Sequence, residues 1–166
     1  QTCARIRAIG DVRIRLLLQP QNLGGNAARN RGIREARAEI ICFVDCDDEF
    51  LPHKLETIAR YFDANPNVDA VIDSFVLRYP PEKGGGTAAR NNPVLASSAA
   101  VKDGVFNRTV YKATPALSAR RSALMAAGLF DETLRRRQDM DMVLRLAKTG
   151  EIRTVADVLW VKNWTQ

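Results

Sequence analysis

Asp45, Asp47 and Asp48 stand at the end of a short apolar run, Ile40-Ile41-Cys42-Phe43-Val44, with only Cys46 between them. A continuous apolar stretch of this length reads as a strand buried on both faces of a sheet. Three carboxylates at its carboxyl end occupy the place where open α/β sheets hold their ligands. In extended geometry Asp45 and Asp47 point one way and Cys46 the other. Two hard oxygen ligands on one side suit Mg²⁺ or Mn²⁺, ions that usually arrive with substrate phosphates. The same residues equally read as an acidic turn before the next helix, since Asp is common at helix starts. A second acidic stretch, Asp139 and Asp141, opens the last helix. Asp141 lies four residues before Arg145, the spacing of a surface ion pair. Asp139 is placed either to favour the helix dipole or to serve as a general base.

The elements that must position these groups alternate in type. Thr2–Ile9 is helical in pattern, Val12–Leu18 reads as a strand and Gln19-Pro20-Gln21-Asn22 as a loop. Gly24-Gly25-Asn26 opens a helix to about Arg37 with Ala28 and Ile33 inward, and the Ile40–Val44 strand follows. Pro52 starts a helix whose Leu55, Ile58, Ala59 and Phe62 form an i, i+3, i+4, i+7 stripe. Val68–Tyr79 is strand-like. From Pro80 to Lys102 the pattern dissolves into Pro, Gly, Asn and Ser, a variable loop that reads either as a lid or as a surface excursion. Arg108–Lys112 and Leu117–Arg120 restore pattern, and a helix over Ser122–Ala127 stops at Gly128. The last helix carries Met140, Val143, Leu144 and Ala147 on one face, and Ile152–Val161 is a final strand pair or extended arm. The alternation defines a single α/β domain with a largely parallel sheet.

The 166 residues suffice for one domain with a core. No run reaches the ~18 apolar residues of a membrane span. A net charge of +6 suits anionic partners. The basic residues form no dense block and lack interleaved aromatics, which argues against nucleic acid. Cys3, Cys42 and Cys46 are too few for a disulfide framework or zinc site, so Cys42 and Cys46 read as small buried apolar residues in a reducing compartment.

Several ordered motifs together resemble a family-2 inverting glycosyltransferase of the GT-A fold. Asn22-Leu23-Gly24-Gly25-Asn26-Ala27-Ala28-Arg29-Asn30-Arg31-Gly32-Ile33 is similar to the family's "N-x-G…A-R-N-x-G-I" segment. Ala36 to Asp48 matches its strand and Asp-x-Asp motif, Ser118 to Glu132 its acceptor-side segment, and Gln138 to Ala147 its Glu-Asp or Gln-Asp helix. The resemblance implies a Rossmann-like mixed, mostly parallel sheet flanked by helices. It implies that Asp45 approaches the nucleotide, Asp47 holds a divalent cation (Mn²⁺ or Mg²⁺), and Asp48 supports that site. Gly24, Arg29 and Asn30 would lie near the donor, with Arg29 and Asn30 buttressing the carboxylates, and Asp139 would be the general base. The implied reaction moves a sugar from a nucleotide-diphosphate donor to a hydroxyl of a glycan, lipid-linked or other acceptor, with inversion.

Two departures matter. The family's first strands would precede Gln1, so the resemblance implies a domain incomplete at its N-terminus, with a gap in the sheet between Val12–Leu18 and Ile40–Val44. Ala38 replaces the glycine that commonly ends the Ala-Arg-Asn helix. His53 reads as an exposed helix-start residue. Two functions follow: a catalytic domain of polysaccharide or glycan assembly, or a non-catalytic GT-A module for interaction or nucleotide binding. The expected location is the cytoplasm, at the inner membrane face if regions outside the chain provide peripheral attachment.

Overall fold

The structure, a computed structural model, describes residues 2–164. Its centre is a pair of parallel strands, β3 (Ala70–Arg78) and β6 (Ile152–Asn163). β5 (Leu117–Arg120) and β4 (Thr87–Arg90) pair antiparallel with successive halves of β3. β1 (Ile40–Cys42) continues the sheet beyond β5, and β2 (Glu49–Phe50) pairs with the far edge of β6. The sheet is mixed, as the resemblance implies, but β3/β6 is the one parallel ladder described rather than one of many. Parallel neighbours need a long crossover. Here only the connection from β3 to β6, which carries α4 (Ser98–Phe106), α5 (Arg121–Ala126) and α6 (Gln138–Thr149), makes such a pair.

Alternating side chains of β3 divide the interior in two. Ala70 and Ile72 pack with Ile33, Phe43, Val101, Leu124, Met142 and Leu146, under α2 (Gly24–Glu35), α4, α5 and α6. Val71 packs with Ile58, Phe62 and Leu159 beneath α3 (Lys54–Ala64). The result is an α/β/α sandwich. Irregular register between Ile72 and Phe75 then breaks the alternation. Phe75 and Leu77 therefore join Ala70 and Ile72 in the larger core.

Several expectations change. Val12–Leu18 is not a strand: Val12, Ile14 and Leu18 are exposed, and no described edge pairs with them. Arg13 instead pairs with Asp11, and Arg15 with Glu35. The expected central gap is absent, because the described strands form one continuous sheet with β1 at its edge. β1 is half-buried rather than enclosed on both faces. Ala27, not Ala28, turns inward on α2. That helix ends at Glu35 with extended Ala36, without a glycine. On α3, Leu55 and Ala59 are exposed while Lys54 is buried beside Ile58 and Phe62. The Pro80–Lys102 segment is ordered into a short 3₁₀ turn, β4 and the start of α4, where Ser97 Oγ accepts from the Ala100 N–H at 3.3 Å. Left-handed Gly84, Gly85 and Gly86 make the reversal into β4. Arg108–Lys112 forms no strand, and Ile152 onward is one strand, not two. α1 (Thr2–Ala8) buries no residue. Among the described residues no helix is long and apolar enough to cross a membrane.

Candidate active site

The chain leaves β1 through buried Phe43, whose ring meets Phe130 edge-on at 5.5 Å. It then reverses, with the Asp48 N–H donating to the Asp45 carbonyl at 3.1 Å, and enters β2. The carboxylates thus sit on a tight turn, not on an extended strand, and simple alternation does not apply to them. Cys46 is exposed on that turn rather than packed as an apolar residue, while Cys42 is half-buried and burial pushes its thiol up. Among the described residues the three cysteines are free.

Each aspartate has a distinct environment. Asp45 accepts from Arg29 Nη2 at 2.8 Å, and the guanidinium also reaches Asn26 Oδ1 at 3.3 Å and lies 5.7 Å from the Phe130 ring centroid. Asp48 is buried: Oδ1 accepts from the Asn163 N–H at 3.1 Å, and Oδ2 lies 3.9 Å from Lys162 Nζ without a hydrogen-bond partner. Burial pushes its carboxyl above the ordinary value, opposed by Lys162 and the Asn163 N–H. Asp47 is exposed, and its carboxylate makes no described ion pair or hydrogen bond; Asn163 Nδ2 donates to its carbonyl at 2.6 Å. The exposed, unengaged Asp47 carboxylate fits a hard cation that brings phosphates and waters of its own, while Asp48 Oδ2 is buried facing Lys162. No group of three or more His, Cys, Asp or Glu side chains gathers among the described residues, so no all-protein metal cage is present there. His53 is exposed at the start of α3.

The start of α2 borders an open cavity of about 890 Å³, lined by Gly24, Gly25, Asn26, Arg29, Glu132 and Gln138 among others. Asn22 Oδ1 accepts from the Gly24 N–H at 3.0 Å, and Gly24 adopts φ +88°. A Cβ there would meet nothing within 4 Å, so glycine is required for its left-handed backbone and not for close approach. Asn30 does not touch the acidic turn. It donates to the Phe130 carbonyl and Glu132 Oε1 and accepts from the Phe130 N–H, each at 2.8 Å. Asn26 donates to the carbonyls of Asp131 and Leu134 at 2.7 and 3.0 Å. One helix therefore fixes the acidic turn through Arg29 and the segment before α6 through its two asparagines.

Asp139 lies on the first turn of α6 and lines a different cavity, of about 650 Å³, with Phe75, Tyr111, Lys112 and Arg137. Its Oδ1 accepts from the Met140 N–H at 2.7 Å. No described hydrogen bond or ion pair joins it to Asp45, Asp47 or Asp48. The link between the two acidic stretches is indirect, through Phe75, which lines the Asp139 cavity, and its neighbours on β6. Phe75 stacks on Trp160 at 4.5 Å. In the regular ladder beyond that pair Lys162 follows Trp160 by two residues, hence on the same side, and reaches Asp48. Asp141 forms the expected pair with Arg145, at 2.5 Å.

Sequence reasoning missed Asn26, Lys162 and Asn163, whose roles rest on contacts across 105 to 116 positions with no spacing signal. It also missed the fully buried pair Lys54–Asp73 at 2.5 Å.

The fold is that of GT-A glycosyltransferases. The chain superposes along its whole length on a structure of Staphylococcus aureus TarS in complex with UDP-GlcNAc, with TM-score 0.77 and 17% identity, covering 47% of that chain. Residues 1–123 match the model of glycosyl transferase family 2, and the chain belongs to that family. It is 33% identical over 139 residues to the uncharacterised glycosyltransferase YwdF of Bacillus subtilis, 81% of this chain and 48% of that one. It is 29% identical over 150 residues to the amylovoran biosynthesis glycosyltransferase AmsB of Erwinia amylovora, 84% of this chain and 46% of that one. The chain spans about half the length of the curated relatives it matches.

Proposed function

We propose that this chain carries the catalytic centre of a metal-dependent inverting glycosyltransferase of polysaccharide or glycan assembly. Its donor is a nucleotide-diphosphate sugar and its acceptor a hydroxyl of a growing glycan or lipid-linked sugar. The observation that carries this reading is the turn at the end of β1, where Asp47 is unengaged and Asp45 is held by Arg29. TarS, the structural relative, has been captured with UDP-GlcNAc and with UDP.

Asp47, supported by Asp48, would hold Mn²⁺ or Mg²⁺, which supplies neutralisation of charge on the departing diphosphate. Arg29 fixes Asp45 toward the nucleotide, and Gly24 at the mouth of the 890 Å³ cavity shapes the chain beside it. Asp139 takes the proton of the acceptor hydroxyl as it attacks the face of the sugar opposite the leaving group. A base in this role contributes ~10²–10⁴-fold, about 3–5.5 kcal/mol of barrier. The residues matched to the family model stop before Asp139, so its assignment rests on the Gln138–Ala147 motif and its cavity. Free cysteines suit a reducing cytoplasm, with any membrane contact provided outside this chain.

Calorimetric titration of the full-length protein with nucleoside diphosphates, with and without Mn²⁺, tests the reading. Metal-linked binding is expected, lost in Asp47→Ala and retained in Asp139→Asn, whose transfer rate falls at least a hundredfold. Nucleotide binding indifferent to Mn²⁺, or unchanged in Asp47→Ala, would refute the donor-site assignment.

A further inference from the structure

The cavity that holds Asp139 carries more positive charge than a neutral sugar requires. Arg108, Lys112 and Arg137 line it. Among the described residues none of these three side chains makes an ion pair or a hydrogen bond, and Asp139 is the only acid in the lining. Lys112 is half-buried, and at that degree of burial Arg29, Arg145 and Arg153 are all engaged, whereas Arg108 and Arg137 are exposed. Two of the three occupy costly backbone positions. Arg108 (φ +60°) and Arg137 (φ +61°) are left-handed, as is one other non-glycine residue described, Leu129. Arg108 follows the end of α4, where glycine or asparagine is the unstrained choice; Arg137 precedes the first turn of α6, where an extended conformation is usual. Conformations of this kind gather at ligand sites. Phe106 and Tyr111 present exposed rings to the same space, suited to a sugar face.

We infer that this cavity is the acceptor subsite and that its acceptor is anionic: a sugar bearing a phosphoryl group, recognised by Arg108, Lys112 and Arg137 while its hydroxyl faces Asp139. The inference rests on the proposed role of Asp139 as base. Three cations against one carboxylate leave a net of two positive charges, which a phosphoryl group of nearly two negative charges offsets and a single carboxylate does not. Guanidinium forks also match phosphoryl oxygens bidentately.

The test is binding, independent of transfer. Ligand-observed NMR on the full-length protein would compare glucose, glucuronate, glucose 6-phosphate, and a sugar joined through a diphosphate, which carries two negative charges, to a short isoprenyl chain. The phosphorylated probes should bind at least about tenfold more tightly than glucose and weaken with added salt. Tighter binding of the isoprenyl form than of glucose 6-phosphate assigns the phosphate to a lipid carrier; equal binding assigns it to a soluble or polymeric acceptor. Lys112→Gln and Arg108→Gln should each loosen glucose 6-phosphate about three- to tenfold, and Lys112→Arg should restore most of it. A thermal melt of each variant establishes that it is folded. Asp139→Asn should bind glucose 6-phosphate at least as tightly as the native protein, since it removes a repelling charge. If the nucleotide titration above fails while these results hold, the donor reading falls and the anion site stands. Equal affinity for glucose and glucose 6-phosphate, glucuronate binding as tightly as the phosphate, or indifference to both Lys112→Gln and Arg108→Gln would overturn the inference.

Discussion

Replacing Lys54 by Met should destabilise the protein strongly at alkaline pH and little at acid pH. Lys54 and Asp73 are both fully buried, with Nζ 2.5 Å from Asp73 Oδ2 and 2.8 Å from the Pro115 carbonyl, and 4.8 Å from the Phe50 ring centroid. Asp73 Oδ1 and Trp160 Nε1 are buried without partners at hydrogen-bonding geometry. Burial pushes the Asp73 carboxyl up to about 7 from its ordinary 3.8, even against the pull of Lys54 and of the nearby Trp160 indole. Between those values the folded protein keeps a proton that the unfolded chain has released, so stability falls as pH rises through the window. At 1.36 kcal/mol per pH unit, the cost of ionising Asp73 reaches about 4 kcal/mol once pH exceeds 7. Removing Lys54 removes the largest opposing influence and raises that cost further. Loss of one partner of a buried pair typically costs about 3–5 kcal/mol. At pH 5 the carboxyl is neutral with or without Lys54, and Met fills a similar volume, so the loss there should stay near 1 kcal/mol. Urea unfolding followed by tryptophan fluorescence reads both conditions. With a slope of about 2 kcal/mol/M, the midpoint should drop about 2 M at pH 8.5 and about 0.5 M at pH 5. Lys54→Met/Asp73→Asn should recover most of the alkaline loss, because no charge is then buried. An equal drop at both pH values would refute the reasoning and reduce Lys54 to a packing residue.

Asn30→Ala should cost about 2–4 kcal/mol in denaturant unfolding, since it strands both the N–H and the carbonyl of Phe130. Hydrogen exchange should quicken first over residues 130–134. Gly104→Ala would place a Cβ 2.7 Å from Val110 Cγ2 and 3.2 Å from Leu95 Cδ1, and should lower stability by about 1–3 kcal/mol. A melting temperature within a degree of the native protein would mean that the Val110 loop yields freely.

What the sequence revealed tracks how local the cause is. Helices α2, α3 and α6 and strands β1, β3 and β5 were legible because period and end signals lie within a few residues. Val12–Leu18 shows the limit: alternation predicts a strand, but a strand needs an adjacent edge to satisfy its backbone, and none is described there. The α3 stripe failed for a related reason. Lys54 reads as a solvent-facing charge and is buried because Asp73, nineteen positions on, and the Pro115 carbonyl accept its hydrogen bonds. The Pro80–Lys102 segment looked structureless because its order comes from pairing Thr87–Arg90 with Phe75–Arg78, not from any propensity of its own.

The relation between the two acidic stretches was hardest to foresee, and one irregularity in the sheet governs it. Had β3 kept strict alternation from Ile72, Phe75 would lie on the α3 side with Val71, and its ring could not stack on Trp160 beside the Asp139 cavity. The shifts at Ser74 turn Phe75 and Leu77 to the other face, and Trp160 and Lys162 align with them. Lys162 then meets Asp48 at one end of this row, while Phe75 forms a wall of the cavity holding Asp139 at the other. Nothing in the local sequence Ile72-Asp73-Ser74-Phe75 marks a bulge. It shows only in the pairing, where the partner strand runs from Thr154 to Trp160 while β3 runs from Ile72 to Phe75. The extra residues of β6 are absorbed here, where the row Phe75, Trp160 and Lys162 runs from the wall of the Asp139 cavity to the side chain that meets Asp48.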